Sequence, residues 1–452
     1  METNNEFTIA VIGAGSATGS FVGAMSGRDH SIVVFEPGLV GGECPFVACM
    51  PSKSMLHDRT TGRSWSEAVA RRDEIVSDLD DTSHADQLRD DGATIVRERA
   101  TIVGAGEVEA GGINYTVDHI VIATGSTPMF PDIEGLDRSH ERVWSSRGVL
   151  TSTERPESIV VLGGGPIGIE LAFMYAGFGT RATIVDRMAR LAADLHPRIG
   201  ATIGEVLRDA GVTVISGVEA DRIEHSDDDV TVHLDDGRTV RAERLLVSAG
   251  RSSDVHDIGL DAVGVDADEL DIDDTGRLLG LGQGVNVWVA GDAAGRGQYT
   301  HIANQHGLVV ADQIGGGAKR VYGDVVTPAC IFITPPVMVV GPSWADLSDD
   351  DDVVWAEVEV DTPRHHADEH RPGFLTVAAR RSTGCIVAAH GVGAGMDELS
   401  HAFVIAIDGA VPVRRLAQTV QPFPTLGGVL SQVFDELHDA IERWCAGQVS
   451  RP

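Results

Sequence analysis

The pattern of apolar and polar positions predicts two βαβ units, one after the other. The run Phe7–Ile12 is rich in β-branched residues and leads through a glycine-rich turn and a helical stretch to a second apolar run, Ser31–Phe35. Apolar runs without alternation are typical of parallel strands that are buried on both faces of a sheet. The same order of elements recurs between Ser158–Leu162 and Ala182–Val185. We therefore expect an α/β protein with parallel sheets.

The pattern changes near residue 322, and the rest of the chain predicts a domain of a different class. From about residue 325, β-like runs such as Val353–Val360 and Gly373–Val377 alternate with polar turns. Helical stretches follow around Glu398–Ile407 and Val429–Trp444. Strands followed by helices favour an α+β domain.

Both βαβ units carry the glycines and the terminal acid of a dinucleotide-binding unit. The candidate residues are Gly13, Gly15, Ser16 and Glu36 in the first unit and Gly163, Gly165, Gly168 and Asp186 in the second. The spacing from first glycine to acid is 23 residues in each, from 13 to 36 and from 163 to 186. The glycines allow a tight turn and a close approach of the backbone to a pyrophosphate, which the N–H groups of the helix N-terminus bind. The acid accepts hydrogen bonds from ribose hydroxyls.

The first unit departs from the glycine pattern at one position. Thr18 stands where the third glycine is usual. A threonine is small but branched, so we expect the helix and the strand to lie slightly further apart there. Ser16 or Thr18 is expected to donate a hydrogen bond to a phosphate.

Cys44 and Cys49 form a second candidate site. An undistorted helix would separate them by about 7.5 Å along its axis, at about 1.5 Å per residue, whereas a disulfide requires Cα atoms within about 6.8 Å. We therefore expect Cys44 at or before a distorted first turn, with Pro45 in the first helical position. The positive end of that helix would favour both thiolates. The pair indicates redox chemistry or metal binding, and we predict no metal because no second CxxC or histidine pair lies nearby.

Six motifs, in this order, resemble those of the flavin-dependent pyridine nucleotide-disulfide oxidoreductases of class I, such as dihydrolipoyl dehydrogenase, glutathione reductase and mercuric reductase. They are the first glycine turn with Glu36, the Cys44–Cys49 segment, Ile122–Ser126, the second glycine turn with Glu170 and Asp186, Val247–Arg251, and Val287–Asp292. The resemblance covers nearly the whole chain. It implies two Rossmann-like dinucleotide-binding domains, one for FAD (1–150 and 251–322) and one for NAD(P) (151–250), plus a C-terminal α+β dimerisation domain (323–452).

The resemblance also implies roles for individual residues. Cys49 corresponds to the thiol next to the flavin, and Cys44 to the outer thiol that meets the substrate. Lys53 and Glu170 resemble an ion pair near the flavin, and Asp292 would hydrogen-bond the ribityl chain of FAD. Further cofactor contacts are expected at Gly42, Ala123, Thr124, Gly125 and Gly250.

Asp186 bears on the choice between NADH and NADPH. A carboxylate suits the ribose hydroxyls of NADH and repels the additional phosphate of NADPH. Arg187 follows directly and offsets part of that repulsion. We predict that NADH is preferred and that NADPH is possible.

The C-terminal segment lacks the acid–base pair of the disulfide-reducing members of the family. In those members a histidine, oriented by a glutamate, is supplied by the partner subunit, whereas Phe423 and Gly428 stand at the matching positions here. Mercuric reductases carry an aromatic residue near this place and a cysteine pair near the C-terminus, whereas this chain has only Cys445 there, expected to be buried like Cys330 and Cys385. His301 and His306 are weak substitutes for the missing histidine.

The function predicted is therefore a homodimeric flavoprotein oxidoreductase whose small-molecule acceptor is unidentified. A low-molecular-weight disulfide, a soft metal ion and a quinone all remain as acceptors. Alternatives are a dihydrolipoyl dehydrogenase subunit of a 2-oxoacid complex, a mercuric reductase and a flavin redox sensor of low turnover.

The composition restricts the classes of partner that the protein can bind, but it does not restrict its chemistry. The 452 residues carry 35 Lys and Arg against 68 Asp and Glu, a formal net charge of −33, which argues against nucleic-acid and anionic-membrane partners. No apolar stretch reaches the roughly 18 residues of a membrane span, and the start of the chain has no pattern of a secretory signal. We predict a cytoplasmic protein, and the wealth of aspartate and scarcity of lysine are typical of halophilic organisms. Lys53 is one of only two lysines, the other being Lys319.

Overall fold

The structure is a computed structural model that describes residues 5–282, 284, 286–317, 320–323 and 325–445. In chain order its strands are β1 (Glu6–Ile12), β2 (Ile32–Phe35), β3 (Ala93–Val96), β4 (Ala100–Gly104), β5 (Glu107–Ala110), β6 (Ile113–Ile122), β7 (Ser126–Pro128), β8 (Val143–Trp144), β9 (Ser158–Leu162), β10 (Arg181–Asp186), β11 (Thr213–Ser216), β12 (Ala220–His225), β13 (Val230–Leu234), β14 (Thr239–Ala242), β15 (Arg244–Val247), β16 (Arg251–Ser253), β17 (Val287–Val289), β18 (Pro328–Ile331), β19 (Val337–Val340), β20 (Val353–Val360), β21 (Gly373–Arg380) and β22 (Ile386–Val392).

The α-helices are α1 (Ser16–Met25), α2 (Glu43–Phe46), α3 (Cys49–Thr61), α4 (Trp65–Ile75), α5 (Thr82–Asp90), α6 (Ser146–Thr151), α7 (Pro166–Gly177), α8 (Pro197–Asp209), α9 (Thr300–Gly315), α10 (Trp344–Leu347), α11 (Pro363–Ala367), α12 (Met396–Asp408), α13 (Val413–Leu416) and α14 (Val429–Cys445). Short 3-10 helices span Ser77–Leu79, Leu260–Val263, Ala267–Glu269, Gly291–Ala294 and Leu426–Gly428.

The first of two compact units draws on Met1–Met55, Ser66–Met129 and Gly250–Asp324. Its sheet has the order β3-β2-β1-β6, with β17 parallel to the second half of β6 and the antiparallel pair β4–β5 along the first half. The predicted buried strand β1 lies at the centre, where residues 9–11 are fully buried. Helices α1 and α9 pack together against this sheet. The carboxyl ends of β1 and β2 thus meet at the edge that carries the first glycine turn.

The second compact unit draws on Leu56–Trp65, Phe130–Ala249 and Val325–Pro452. Its first sheet is parallel, in the order β11-β10-β9-β15-β8, and an antiparallel sheet of β12, β13 and β14 packs against it. Strand β8 precedes the predicted boundary at residue 150, and yet it pairs with β15 of this unit.

The remainder of the second unit has the α+β architecture that the sequence predicts. Strands β18-β19-β22-β21-β20 form an antiparallel sheet, and α12, α13 and α14 cover one face of it. Phe403 of α12 and Val433 of α14 are fully buried against Leu375 and Val377 of β21. The predicted fold class, two dinucleotide-binding folds with an α+β domain, is confirmed.

Within the described part of the chain, no helix combines the length and the apolarity that crossing a bilayer would require.

Candidate active site

The two cysteines of the redox segment lie on either side of a break between helices. Cys44 is the second residue of α2, and Cys49 is the first residue of α3. Val47, with φ −134° and ψ 10°, ends α2 between them. The expected distorted first turn is therefore a full interruption, and Pro45 lies inside α2 rather than at the first position of the longer helix. The break brings the thiols together, because the side chains of Cys44 and Cys49 share a hydrogen bond.

The two thiols hold their proton unequally. The hydrogen bond from Cys44 lowers the pKa of the Cys49 thiol, and the Thr300 hydroxyl and the positive charge of Lys53 lower it further. The same hydrogen bond, together with burial, raises the pKa of the Cys44 thiol. Cys49 Sγ lies 3.5 Å from Thr300 Oγ1 at the start of α9. Of the two thiols, Cys49 is therefore the one whose thiolate form the surroundings favour.

A cavity of about 370 Å³ opens beside Cys44. It is lined by Ala14, Gly15, Ser16, Gly19, Ser20, Val40, Gly41, Cys44, Pro45, Met50, His84, Gln87, Leu88, Thr300 and Asn304. These side chains include neither a carboxylate nor a lysine or arginine, and Cys49 is not among them. The lining also includes Gly15, Ser16 and Gly19, so the cavity extends from Cys44 to the first glycine turn and the start of α1.

A polar network that the sequence does not reveal fixes helix α2 in the first unit. Arg251 Nη2 lies 2.6 Å from Glu43 Oε2, and Arg251 also donates to the Ser126 hydroxyl at 2.8 Å. The Ser126 hydroxyl in turn donates to Asp292 Oδ2 at 2.7 Å. Ser126 and Arg251 are the last residues of two separate motifs, and Glu43 directly precedes the Cys44–Cys49 segment, but nothing in the sequence indicates that the three meet. The network joins the cysteine segment to the carboxylate predicted to bind FAD.

The glycines of the first unit form a backbone cradle. Gly13 has φ +98°, and a Cβ there would overlap the carbonyl oxygen of Ala123. Gly42 has φ +76°, and a Cβ there would lie 2.8 Å from the Cα of Gly15. Glu36 accepts the N–H of Ala14 at 2.9 Å. Only glycine permits these approaches, which expose backbone N–H groups at the start of α1.

Thr18 does not have the phosphate-binding role considered for it. Its side chain is buried, and its hydroxyl donates to the carbonyl oxygen of Gly13 at 2.7 Å. The hydroxyl is thus used inside the turn. Ser16, by contrast, begins α1 and lines the cavity.

The second unit repeats the cradle in tighter form. A Cβ at Gly163 would overlap the carbonyl oxygen of Ser248, and one at Gly168 would overlap that of Gly163. Gly165 precedes the first residue of α7. Asp186 is buried and accepts backbone N–H groups of Gly164 and Met188, and burial raises the pKa of its carboxyl. The arrangement suits a pyrophosphate at the helix N-terminus and ribose hydroxyls at the acid.

The remaining predicted residues are placed as follows. Ala123, Thr124 and Gly125 follow β6 in the first unit, Gly250 precedes β16, and Lys53 lies one turn after Cys49 on α3. Glu170 lies in the second unit, buried on α7, where its carboxylate accepts the N–H of Phe332 at 2.8 Å. The Lys53–Glu170 ion pair stays a prediction.

The histidine and cysteine candidates outside the Cys44–Cys49 pair lie as follows. His306 is buried and stacks on Tyr322 at 3.8 Å, and burial lowers its pKa to about 4. His301 stacks on Tyr299. Cys330 and Cys385 are half-buried rather than in the core, since Cys330 lies on the edge strand β18 and Cys385 lies just before β22. The side chain of Cys445 lies outside the described residues.

Comparison with known proteins identifies the family. The model of the pyridine nucleotide-disulphide oxidoreductase family matches residues 7–307, and the model of the dimerisation domain of that family matches residues 327–433. The chain therefore belongs to the pyridine nucleotide-disulphide oxidoreductases. As a member it is an oxidoreductase of a family whose members contain FAD and use NAD(P)H.

Two curated relatives match this chain along nearly their whole length. A mercuric reductase of Streptomyces lividans is 29% identical, with 95% of this chain and 96% of that protein covered. A dihydrolipoyl dehydrogenase of Haloferax volcanii is 26% identical, with coverages of 97% and 98%. The solved structure of the HOCl-induced flavoprotein disulfide reductase RclA from Escherichia coli has a TM-score of 0.86 at 24% identity, over 95% of this chain and 99% of that one, a likeness of fold.

The first unit has features that fit FAD. The Gly13, Gly15 and Gly42 cradle leaves backbone open at the start of α1, as a pyrophosphate requires. The buried hydroxyl of Thr124 makes no hydrogen bond within the described residues. Asp292 and Glu36 carry the carboxylate oxygens that would accept hydrogen bonds from ribityl and ribose hydroxyls.

Proposed function

We propose that the protein passes two electrons from NADH through FAD and the Cys44–Cys49 disulfide to a small acceptor that meets Cys44. The observation that carries this proposal is the pair of thiols that the break between α2 and α3 brings into hydrogen-bond contact, in the same unit as the Gly13, Gly15 and Gly42 cradle. When bound, FAD relays electrons from the nicotinamide to the disulfide.

Cys49 is the thiol that faces the flavin in this proposal. Three features stabilise its thiolate: the position at the N-terminus of α3, the charge of Lys53 and the hydroxyl of Thr300. Cys44, on α2, is the outer thiol, the role that the first cysteine of this segment has in the family. The two cysteines thus divide the work, one holding charge and the other meeting the acceptor.

The buried carboxylate of Asp186 supports a preference for NADH over NADPH. A phosphate on the adenosine ribose would meet this carboxylate, whereas two free hydroxyls would donate to it. Arg187 is exposed beside Asp186, and its positive charge offsets part of the repulsion of that phosphate. We therefore expect some turnover with NADPH.

The acceptor we propose is a low-molecular-weight disulfide, a soft metal ion or a quinone. Phe423 is 82% exposed and has no proton to give or take. We therefore expect slow turnover of lipoamide, since a missing acid–base group costs about 10² to 10⁴ in rate. If the protein is instead a dihydrolipoyl dehydrogenase, wild type should turn over lipoamide and Phe423→His should raise that activity.

We also propose that the protein is a homodimer located in the cytoplasm. Three apolar side chains of the matched dimerisation domain are strongly exposed in the single chain: Ile405, Val420 and Phe423. A second copy of the chain would cover such side chains. Analytical ultracentrifugation tests the dimer, and a monomer at all concentrations would contradict it.

The test is an anaerobic acceptor screen with NADH and with NADPH, at low and at high salt. Wild type, Cys44→Ser and Cys49→Ser are compared with glutathione disulfide, lipoamide, Hg(II) and a benzoquinone as acceptors. We expect NADH-dependent reduction of at least one acceptor in wild type and its loss in both variants.

Cys385→Ser is the matched control, because Cys385 is a half-buried thiol of the second unit whose Sγ contacts the carbonyl oxygen of Ala410. It should keep wild-type activity. If Cys44→Ser and Cys49→Ser both keep full activity, electrons leave directly from the flavin and the cysteine mechanism is wrong.

A further inference from the structure

The backbone between strand β2 and helix α2 joins two predicted contacts of the FAD site. It runs from Glu36, the acid for ribose hydroxyls, to Gly42, which completes the cradle for the pyrophosphate. This segment forms neither helix nor strand, and Gly38, Gly41 and Gly42 are glycines. Glycine loses more conformational freedom than other residues when the backbone is ordered. Contacts that hold this segment in place therefore bear on how tightly the cofactor binds.

An ion pair holds the segment at two points. Arg97 is the first residue after β3, and Asp81 directly precedes α5. Arg97 Nη1 donates to the carbonyl oxygen of Gly38 at 2.8 Å, and Asp81 Oδ2 accepts the N–H of Val40 at 2.7 Å. The guanidinium also donates to both oxygens of the Asp81 carboxylate, at 2.6 and 2.8 Å. Because a planar fork of this kind fixes direction as well as distance, the two side chains act as one rigid support.

The ion pair lies beside the acid predicted to bind ribose. The hydrogen bonds from Arg97 hold the pKa of the Asp81 carboxyl below its ordinary value, so this carboxylate is ionised at neutral pH. The charge of Glu36 also acts on the Arg97 guanidinium. The Asp81 side chain is 14% exposed and that of Arg97 is 40% exposed. Since salt screens partly buried pairs less than exposed ones, the support should persist in a salty solution.

The second unit bonds the equivalent carbonyl through its backbone. In each unit the residue two positions after the acid, Gly38 or Met188, donates its N–H to that acid. In the second unit the carbonyl oxygen of Met188 accepts the N–H of Gly217, the first residue after β11, at 2.8 Å. In the first unit the guanidinium of Arg97 takes that place. The segment after the acid is thus fixed in both units, and in the first unit the fixing groups are side chains, which a substitution can remove.

We propose that Arg97 and Asp81 are positioning residues for the adenosine half of FAD. This proposal rests on the proposed function, in which the first unit binds FAD. By fixing residues 37–42, the pair keeps the Glu36 carboxylate and the Gly42 backbone where a ribose and a pyrophosphate need them. The cofactor then binds without first ordering the segment, which is a gain in affinity by preorganisation. The flavin ring is at the other end of the cofactor, so its own binding should depend little on this pair.

The experiment measures the affinity of the full chain, freed of its flavin, for three ligands. FAD is titrated directly by flavin fluorescence, and ADP and FMN are measured as competitors of FAD. Arg97→Gln and Asp81→Asn should each raise the dissociation constants of FAD and of ADP about 10-fold, the effect of a lost hydrogen bond between charged groups. The dissociation constant of FMN should change much less, since FMN has no adenosine ribose and only one phosphate.

Further variants separate positioning from a general loss of structure. The double variant should lose little more affinity than either single variant, since both side chains act through one pair. Arg97→Lys keeps the charge but not the fork, so its loss should be intermediate. Arg89→Gln breaks an exposed ion pair with Asp86 in the same unit and should leave all three affinities unchanged.

The outcomes distinguish this proposal from the proposed function. If wild type binds FAD and ADP but Arg97→Gln and Asp81→Asn bind them as tightly, the role of the pair is wrong and FAD binding in the first unit stands. Equal losses for ADP and FMN also overturn the proposal, because they indicate a general distortion of the unit. If ADP does not compete with FAD in wild type and Glu36→Gln keeps full affinity for FAD, the assignment of FAD to the first unit fails, and this proposal fails with it.

Discussion

The two dinucleotide-binding units close the same turn by different means. In the second unit, a Cβ at Gly168 would overlap the carbonyl oxygen of Gly163, so the helix approaches the turn with no side chain between them. In the first unit, Thr18 stands at the matching position and donates its hydroxyl to the matching carbonyl, that of Gly13, at 2.7 Å. A hydrogen bond from a side chain thus replaces direct backbone contact. The third glycine of the pattern is one solution to this packing and not a requirement.

The terminal acids differ in a related way. Glu36 accepts the N–H of Ala14 at 2.9 Å, and Asp186 accepts the N–H of Gly164. A Cβ at Gly164 would overlap the shorter Asp186 carboxylate, whereas the longer Glu36 accepts the N–H of a residue that has a Cβ, Ala14. The length of each acidic side chain therefore fits the residue whose N–H it accepts.

The largest effect is expected from Gly168→Thr, which places in the second unit the threonine that the first unit carries at the matching position, Thr18. Gly168→Thr places a Cβ against the backbone carbonyl of Gly163 and 2.8 Å from the side-chain Oγ of Ser248. We expect about 3 kcal/mol or more of lost stability, with much weaker binding of NADH. Urea unfolding and fluorescence titration with NADH measure the two losses.

Gly204→Ala is the matched control for that substitution. Gly204 is also helical, and the nearest atom to a Cβ there is Arg208 Nη2 at 4.0 Å. We expect a gain of about 0.5 to 1 kcal/mol, since alanine favours the helix. Equal stability of Gly168→Thr and wild type would contradict the packing difference between the units.

Removing the charge of each terminal acid should weaken the binding of only one cofactor, FAD in the first unit and NADH in the second. A hydrogen bond to a charged group contributes about 1.5 to 3 kcal/mol, or about 10- to 100-fold in affinity. Asp186→Asn should lower the affinity for NADH by such a factor and reduce the preference for NADH over NADPH. It should leave the flavin content of the protein unchanged. Glu36→Gln should lower the flavin content of the purified protein without changing the affinity for NADH. Loss of flavin from Asp186→Asn would reverse the assignment of the units.

The smallest effect is expected from Thr18→Val, which keeps the shape of the side chain and removes its hydroxyl. The carbonyl of Gly13 then loses a buried hydrogen bond, at a cost of about 1 kcal/mol. Thr18→Ser should restore most of it. Chemical denaturation of the three proteins measures the difference, and a Thr18→Val protein as stable as wild type would show that the hydroxyl does not close the turn.

Local patterns predict the strands and the motifs well because they depend on neighbouring residues. Ser158–Leu162 and Val353–Val360 are strands with the predicted bounds, since runs of β-branched residues reflect burial in a sheet. The glycine and acid positions likewise follow from local backbone needs. The break between α2 and α3 could not be predicted from neighbouring residues. Pro45 is compatible both with the short helix α2 and with the start of one longer helix.

The parts of the site that depend on distant residues could not be predicted. Arg251 pairs with Glu43 across 208 residues of sequence, and Ser126 with Asp292 across 166. Arg97 bonds the carbonyl oxygen of Gly38 across 59 residues. Ser126 and Arg251 come together because β7 and β16, far apart in sequence, pair with each other.

The central claim, that electrons reach the Cys44–Cys49 pair and that the resulting charge is held by Cys49, is tested most directly by anaerobic titration with NADH at several pH values. We expect two-electron reduction with a long-wavelength thiolate–flavin absorption band in wild type. Cys44→Ser has no disulfide to reduce, so it should show the band before NADH is added and lose it when NADH reduces the flavin, and Cys49→Ser should show no band at either stage. Since the hydrogen bond from Cys44 lowers the pKa of the Cys49 thiol to about 6, the wild-type band should be present above that pH and fade as the pH falls through it. A band that survives in Cys49→Ser, or that is absent from wild type after NADH is consumed, would contradict the account.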